Sequence, residues 1–301
     1  MTEDPLWPRA SAWLASGGHP GGPRLAVVGV PLSRTSISPS GAHTTPAAVR
    51  AALSRFSTFH AGLDVDLESL AVTDLGDLDV ADCDGSAALE QVDLRGIDAD
   101  LLVVLGGDNA LTRPAMRSLL PLASSGLLTV DAHHDVRSFH AGPTNGTPVR
   151  GLVEDGLAGH HVVQVGIGQL TNSRAYRDWC EDRGVHLLGV EQVRGRVGAV
   201  VTEQLDRLAQ TCTDLYVDLD VDVVDRAFVP GCPGARPGGL APHELLEAAV
   251  AAGRHPWVRA VDVTEVDASA DPDGRTVDLA ALCLLSAAAG LAARARDAER
   301  R

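Results

Sequence analysis

The stretch Thr129–Asp135 reads TVDAHHD, and it ends an apolar run, LLTV, with acidic and imidazole side chains. Asp131, His133 and Asp135 alternate along it, and alternate residues of an extended chain face the same side. Two carboxylates and an imidazole on one buried face raise the free energy of the fold unless a positive charge lies between them. The stretch therefore predicts a buried strand that ends at a metal ion.

Short, continuous apolar runs rich in Val and Leu recur along the chain, as expected of strands that are covered on both faces. Helix signals lie between them: Thr45 caps a segment with Pro46 in its first turn, and Asn172 caps another that stops at Gly184. This alternation predicts an α/β fold with a mostly parallel sheet and helices on both faces, in one domain spanning residues 1–301. The predicted strands are Leu25–Val30, Leu70–Leu75, Leu101–Leu105, Leu127–Val130, Val162–Ile167, Val185–Val190, Leu215–Leu219 and Val258–Val263.

The composition argues against several classes of partner. The chain has 301 residues and a formal net charge of −15. Nucleic acids and anionic membranes both select basic surfaces, so neither is an expected partner. No apolar run approaches the roughly 20 residues of a membrane span. Five scattered cysteines without a CxxC pair, and an acidic N-terminus without the apolar segment of a signal peptide, favour a cytoplasmic protein with reduced thiols.

A second acidic stretch follows another predicted strand. Asp220 and Asp222 alternate like the first cluster, and the carboxyl ends of parallel strands meet at one edge of a sheet. A lone DxD is most often a turn and a lone His is usually structural, but neither reading explains DxHxD together with a second DxD. Carboxylates with an imidazole suit Mn²⁺ better than thiolate-bound Zn²⁺. Two such ions, about 3.5–4 Å apart, can activate water toward an electrophilic carbon.

Four motifs together resemble those of a known family. They are GGDN at 106–109, DAHHD at 131–135, DLDVDVVD at 218–225 and DVTEVD at 262–267. In order and position they are similar to the motifs of the ureohydrolases, which include arginase, agmatinase and formimidoylglutamase. The resemblance covers most of the chain. It implies a three-layer α/β/α sandwich, a homo-oligomer, two Mn²⁺ ions per subunit, and hydrolysis of a carbon–nitrogen bond in a small amidine or guanidine.

The resemblance also implies a role for each acidic residue. Asp131 and Asp220 would bridge the two ions and, with Glu265, form the catalytic set. Glu265 matches the acid that orients the substrate's amidine nitrogens, and a carboxylate suits a cationic N–C–N fork. The implied ligands of one ion are Asp131, Asp135 and Asp220, and those of the other are Asp131, His133, Asp220 and Asp222.

The GGDN motif departs from the family pattern, because Asn109 stands where the family usually has a metal-binding His. An amide oxygen is a weaker neutral donor than an imidazole. The ion beside Asn109 is therefore expected to bind weakly or to be absent. Asp218 and Arg226 also depart from the pattern, which has Ser and Pro there, but neither is an expected ligand.

The segment at 135–152, DVRSFHAGPTNGTPVRGL, resembles formimidoylglutamases most. Formimidoylglutamate carries two carboxylates, and Arg suits bidentate binding of carboxylates. A loop Arg can equally be a solvated surface residue. The expected substrate-binding residues are Arg137, Asn145, Thr147, Arg150 and Glu265, with Arg34 and Arg174 as further candidates.

The predicted activity is metal-dependent hydrolysis of N-formimidoyl-L-glutamate to L-glutamate and formamide in histidine degradation. One alternative is an amidinohydrolase of the same family that acts on agmatine or a guanidino acid. Another, kept open by Asn109, is a metal-poor inactive homologue with a binding role. Release of formamide rather than urea distinguishes the first two, and metal content with turnover distinguishes the third.

Overall fold

The computed structural model describes residue 4 and residues 6–300, and an eight-stranded sheet runs through it. All predicted strands are present, with ends within two residues of the predicted ones. The strands are β1 (Arg24–Val30), β2 (Phe59–His60), β3 (Val65–Asp66), β4 (Ala71–Asp77), β5 (Leu101–Gly106), β6 (Ser125–Val130), β7 (Val162–Ile167), β8 (His186–Gly189), β9 (Asp214–Asp220) and β10 (Val258–Thr264). The helices are α1 (Ala10–Ser16), α2 (Thr45–Ala52), α3 (Gly85–Gln91), α4 (Thr112–Leu119), α5 (Pro148–Glu154), α6 (Arg174–Asp182), α7 (Val190–Val193), α8 (Val197–Leu208), α9 (Pro242–Arg254) and α10 (Arg275–Glu299).

The sheet has the order β4-β1-β5-β10-β9-β6-β7-β8, and each of its described pairings is parallel. β2 and β3 pair antiparallel in a separate hairpin, and isolated antiparallel bridges join Arg9 to Ser57 and Gly18 to Ala71. Helices cover both faces, because successive side chains of a strand point to opposite sides. Along β5, Leu101 and Val103 face a core shared with α2, α8, α9 and α10, whereas Leu102 and Val104 face a core shared with α3 to α6. The result is the predicted three-layer α/β/α sandwich.

Helix α10 corrects the expectation that no apolar stretch of the chain approaches the length of a membrane span. By length and composition it could cross a membrane, since it has 25 residues and its most apolar window has a mean hydropathy of 1.8. However, 89% of that window is buried inside the fold, as in the core helix of a soluble protein. It packs closely on α9 at Gly253, where a Cβ atom would lie 1.9 Å from the Ala287 carbonyl oxygen.

Three local expectations need correction. Strand β4 lies at the sheet edge and exposes Thr73–Asp77, so burial on both faces applies to the inner strands only. Thr45 does not cap α2, because its hydroxyl donates to the Val266 carbonyl at 2.5 Å. Ser173 rather than Asn172 caps α6, since the Asn172 amide bonds the backbone of the DAHHD segment.

The strand order brings the four motifs together. β6 lies beside β9, with Val130 opposite Leu219, and β9 lies beside β10, with Thr264 opposite Asp220. β5, which leads into the GGDN motif, pairs with β10 on its other side. The segments after these four strands therefore share one edge of the sheet, where parallel α/β sheets bind ligands.

Candidate metal centre and substrate cleft

The two acidic stretches meet at the carboxyl ends of β6 and β9. Asp131, Asp135 and Asp220 offer oxygen atoms that all lie within 4.8 Å of one another. Asp131, His133 and Asp222 form a second group of the same size. Asp131 belongs to both groups, as expected of a bridging ligand, whereas Asp220 belongs to the first group only. The arrangement can hold two adjacent cations with a shared carboxylate.

The chemistry of these donors fits a hard divalent cation. Asp131 is fully buried and Asp220 is only 2% exposed. The Oδ2 atom of Asp131 has no hydrogen-bond partner among the described residues. Leaving a buried carboxylate oxygen unpaired is costly, and coordination to a cation removes that cost.

Burial and mutual charge interactions shift the pKa values of these side chains. Burial and the neighbouring Asp135 raise the pKa of Asp131 well above its usual value, and burial with Asp222 does the same for Asp220. Burial alone would lower the pKa of His133, but Asp222, 2.7 Å from its Nδ1 atom, and Asp131 raise it to about 12. These shifts show that the carboxylates favour a positive charge among them, which a divalent cation would supply.

Asn109 faces this cluster with its amide nitrogen. It lies on a short 3₁₀ turn after β5, and its Nδ2 donates to Oδ2 of Asp135 at 2.8 Å. Its Oδ1 accepts from the hydroxyl of Thr112 at 2.8 Å, and the same hydroxyl lies 2.8 Å from Oδ2 of the buried Asp262. In this orientation Asn109 acts as a hydrogen-bond donor to Asp135, and its only metal-ligating atom points away. The Asn109 side chain therefore offers no donor atom to a cation bound by Asp135.

Glu265 follows β10 and lies close to the cluster. Its Oε1 accepts from the backbone nitrogen of Asn109 at 2.8 Å and from Nδ2 of Asn145 at 3.0 Å. Burial and the nearby Asp108 raise the pKa of Glu265 to about 8. Glu265 and Asp135 have φ angles of 64° and 52°, a left-handed conformation that is costly for non-glycine residues and is concentrated at functional sites.

A cleft of about 150 Å³ opens beside these residues. A larger, mostly apolar cavity of about 720 Å³ lies between the β2–β3 hairpin, α9 and α10, but none of the expected site residues lines it. The expected residues that do line the cleft are His133, Asp135, Arg137, Asn145, Asp220, Asp222 and Glu265.

Two expected substrate-binding residues do not line the cleft. Nε of Arg150 donates to the Val136 carbonyl at 2.9 Å, and its guanidinium lies over the ring of Trp179. The Thr147 hydroxyl donates to the Thr144 carbonyl at 2.7 Å. Both side chains therefore support the backbone of the 135–152 segment in this structure. The further candidates Arg34 and Arg174 also lie outside the lining.

Two loops contribute lining residues that the sequence analysis missed. The loop after β1 supplies Ser36, which is held by a hydrogen bond of 2.8 Å to the buried Asp108. The loop after β9 supplies Gly234 and Arg236; a Cβ on Gly234 would lie 2.4 Å from Oδ2 of Asp222, so a side chain there would block this close approach. Arg236 could have been predicted as a binding residue from the sequence, because it is a cation in a glycine-rich loop that follows an acidic strand end.

Comparisons with known proteins agree with this geometry. The family model of the arginase family matches residues 23–290. A formimidoylglutamase of Halalkalibacterium halodurans is 37% identical over 257 residues, which is 82% of this chain and 81% of that protein. The crystal structure of formimidoylglutamase from Bacillus subtilis has a TM-score of 0.86 at 31% identity, covering 97% of this chain and 94% of that one. A structure of Trypanosoma cruzi formiminoglutamase with Mn²⁺ shares the fold, with a TM-score of 0.79 at 24% identity over 95% of this chain and 99% of that one. The chain therefore belongs to the arginase family.

Proposed function

We propose that this chain hydrolyses N-formimidoyl-L-glutamate to L-glutamate and formamide, in the cytoplasm and as a step of histidine degradation. The observation that carries the proposal is one cleft beside two cation-binding groups that share the buried Asp131. The cleft also offers a carboxylate for an amidine at Glu265 and a cation for a carboxylate at Arg137. The formimidoylglutamases to which the chain is similar support the substrate. Five buried, free cysteines accord with a reducing compartment.

We propose two Mn²⁺ ions as the cofactor. The manganese of the Trypanosoma cruzi protein and the carboxylate-rich donors support this choice. When bound, the ions would supply Lewis-acid activation of water at neutral pH. The proposed ligands are Asp131, Asp135 and Asp220 for the ion beside Asn109, and Asp131, His133, Asp220 and Asp222 for the other.

Glu265 is the proposed orienting residue for the amidine. Its Oε1 is already held by Asn109 and Asn145, which fixes the carboxylate in the cleft. A protonated amidine presents two N–H groups in a fork that a carboxylate can bind with charge-assisted hydrogen bonds. Because an adjacent cation lowers the pKa of a carboxyl group, bound substrate would also keep Glu265 ionised.

Arg137 is the proposed partner of a substrate carboxylate. Its side chain packs against Gly146, where a Cβ atom would lie 2.6 Å from the Cδ of Arg137. The arginine is exposed, and it forms no ion pair within the described part of the chain. A planar guanidinium binds a carboxylate in two parallel hydrogen bonds. Agmatine has no carboxylate and would gain nothing from this residue.

The test is a panel of substrates assayed with added Mn²⁺. Water adds to the formimidoyl carbon, the bond from that carbon to the glutamate nitrogen breaks, and that nitrogen leaves as the protonated amine, so formamide is the second product. We expect turnover of formimidoylglutamate with release of formamide, and little or no urea from agmatine or 4-guanidinobutyrate. Preference for a guanidine would favour the amidinohydrolase alternative, and no turnover with both ions bound would favour an inactive homologue.

A further inference from the structure

We propose that Arg236 is a second carboxylate-binding residue of the cleft, so that Arg137 and Arg236 together select a substrate with two carboxylates. The inference rests on the proposed function and deepens it. It adds a specificity-determining residue on the loop after β9, which no motif of the sequence analysis included.

The anchoring of Arg236 leaves most of its guanidinium free. Nη1 donates to the carbonyls of Pro233 and Ala235, both at 3.0 Å, and these bonds fix the side chain against its own loop. Among the described residues, Nε and Nη2 have no hydrogen-bond partner. The edge of the guanidinium formed by Nε and Nη2 is one of the two that bind a carboxylate in bidentate fashion.

Free guanidinium groups bear on this cleft because most of its other charged lining residues are acidic. The chain carries a formal net charge of −15, and many of its arginines pair with carboxylates, as Arg50 does with Asp74 and Arg113 with Asp155. In the described residues, neither Arg137 nor Arg236 has a carboxylate within ion-pair distance, although both line an acidic cleft. Two bound Mn²⁺ ions would neutralise the four ligand carboxylates, but the two carboxylates of the substrate would still need cationic partners to replace their hydration. These two side chains can supply the required charges.

Two separate cations match the shape of the substrate. The α-carboxylate is attached to the carbon that bears the reacting nitrogen, whereas the side-chain carboxylate lies at the other end of the molecule. One guanidinium fork binds one carboxylate through both of its oxygens. Arg137 lies on the segment after β6 and Arg236 on the loop after β9, so they approach the cleft from different segments.

The experiment combines truncation of the protein with truncation of the substrate. Four proteins are compared: wild type, Arg137→Ala, Arg236→Ala and Arg236→Gln. Each is assayed with N-formimidoyl-L-glutamate and with two truncated substrates. N-formimidoyl-4-aminobutyrate lacks the α-carboxylate, and N-formimidoyl-2-aminobutyrate lacks the side-chain carboxylate. In the wild type, loss of either carboxylate should lower kcat/KM by roughly ten- to a few-hundredfold. In Arg236→Ala, removal of one of the two substrate carboxylates should leave kcat/KM nearly unchanged. In Arg137→Ala, removal of the other carboxylate should have little effect on kcat/KM.

Arg226→Ala is the matched control. Arg226 lies in the same loop, and its Nη1 also donates to a loop carbonyl, that of Cys232, at 2.9 Å, but it does not line the cleft. It should keep wild-type kinetics, and all variants should keep the wild-type manganese content and melting temperature. Arg236→Gln keeps a hydrogen-bond donor for the loop carbonyls but removes the positive charge. An equal fall in kcat/KM in both Arg236 variants would therefore come from the lost charge and not from a disturbed loop.

The inference is overturned if both substrate truncations lower kcat/KM in Arg236→Ala as much as they do in wild type. It is also overturned if Arg137→Ala and Arg236→Ala become insensitive to loss of the same carboxylate. A wild-type enzyme that turns over none of the three amidines overturns the proposed function itself. That result differs from turnover that is indifferent to Arg236, so the two failures can be told apart.

Discussion

Replacing Asn109 with His should convert an unequal pair of metal sites into an equal one. In the structure the amide nitrogen of Asn109 bonds Asp135 at 2.8 Å, and its oxygen is held by the Thr112 hydroxyl at 2.8 Å. Three carboxylates, from Asp131, Asp135 and Asp220, then remain as the proposed protein ligands on that side. An imidazole at position 109 would add a fourth, neutral donor, while the Thr112 hydroxyl could bond the ring nitrogen that faces away from the ion.

The expected gain in manganese affinity can be judged from how much a single supporting residue contributes to a metal site. Losing a partner that supports a metal ligand typically costs ten- to a hundredfold in affinity, so gaining a ligand should add at least about that much, or roughly 1.4–2.7 kcal/mol. Both proteins would be loaded with Mn²⁺, dialysed, and measured by metal analysis and calorimetric titration. Wild type should lose the ion beside Asn109 first and keep the one held by His133 and Asp222, whereas Asn109→His should keep both.

Asn109→Ala separates the two contributions of the substitution. It removes the amide from Asp135 without supplying a ligand, so it should not gain manganese. Equal occupancy of both sites in wild type, unchanged in Asn109→His, would refute the reasoning. An equal gain in Asn109→Ala would show that the amide hinders the metal and that the imidazole adds nothing.

Three further predictions concern the same cleft. Asp131→Asn or Asp220→Asn should abolish activity and release both ions, and an Asp220→Asn protein with two tightly bound ions would contradict a bridging role. Arg137→Ala should lower kcat/KM for formimidoylglutamate by roughly ten- to a few-hundredfold, mostly in KM and without a change in metal content; unchanged kinetics would place the carboxylate elsewhere. The metal-free protein should melt at lower temperature as pH rises from 5 to 8, because Asp135 and Glu265, with pKa values raised by burial to about 7 and about 8, keep protons in the folded state that the unfolded chain has lost. Stability should fall by about 1.4 kcal/mol per pH unit for each extra bound proton, and Mn²⁺ should flatten the profile.

Much of the fold could be predicted because its signals are local. Continuous Val- and Leu-rich runs such as Val162–Ile167 can only be strands or buried helix segments, and their length and spacing decide for strands. The alternation in DAHHD and DLDVD likewise determines which side chains share a face, since the period of an extended chain is two residues. The errors lie where tertiary contacts override a local preference: Thr45 and Asn172 are good capping residues, but their side chains bond distant backbone instead.

The strands can be read from the amino-acid sequence, as can the acidic residues at their ends and the departure from the family pattern at Asn109. Which strand ends meet is known from the three-dimensional fold alone. β6, β9, β10 and β5 are separated along the chain, and their order in the sheet brings Asp131, Asp220, Glu265 and Asn109 to one edge. The fold also decided between the arginines, excluding Arg150 from the cleft and placing Arg236 in it. The difference arises because side-chain periodicity and capping depend on neighbours in sequence, whereas strand order and loop path depend on how helices cover the two faces of the whole sheet.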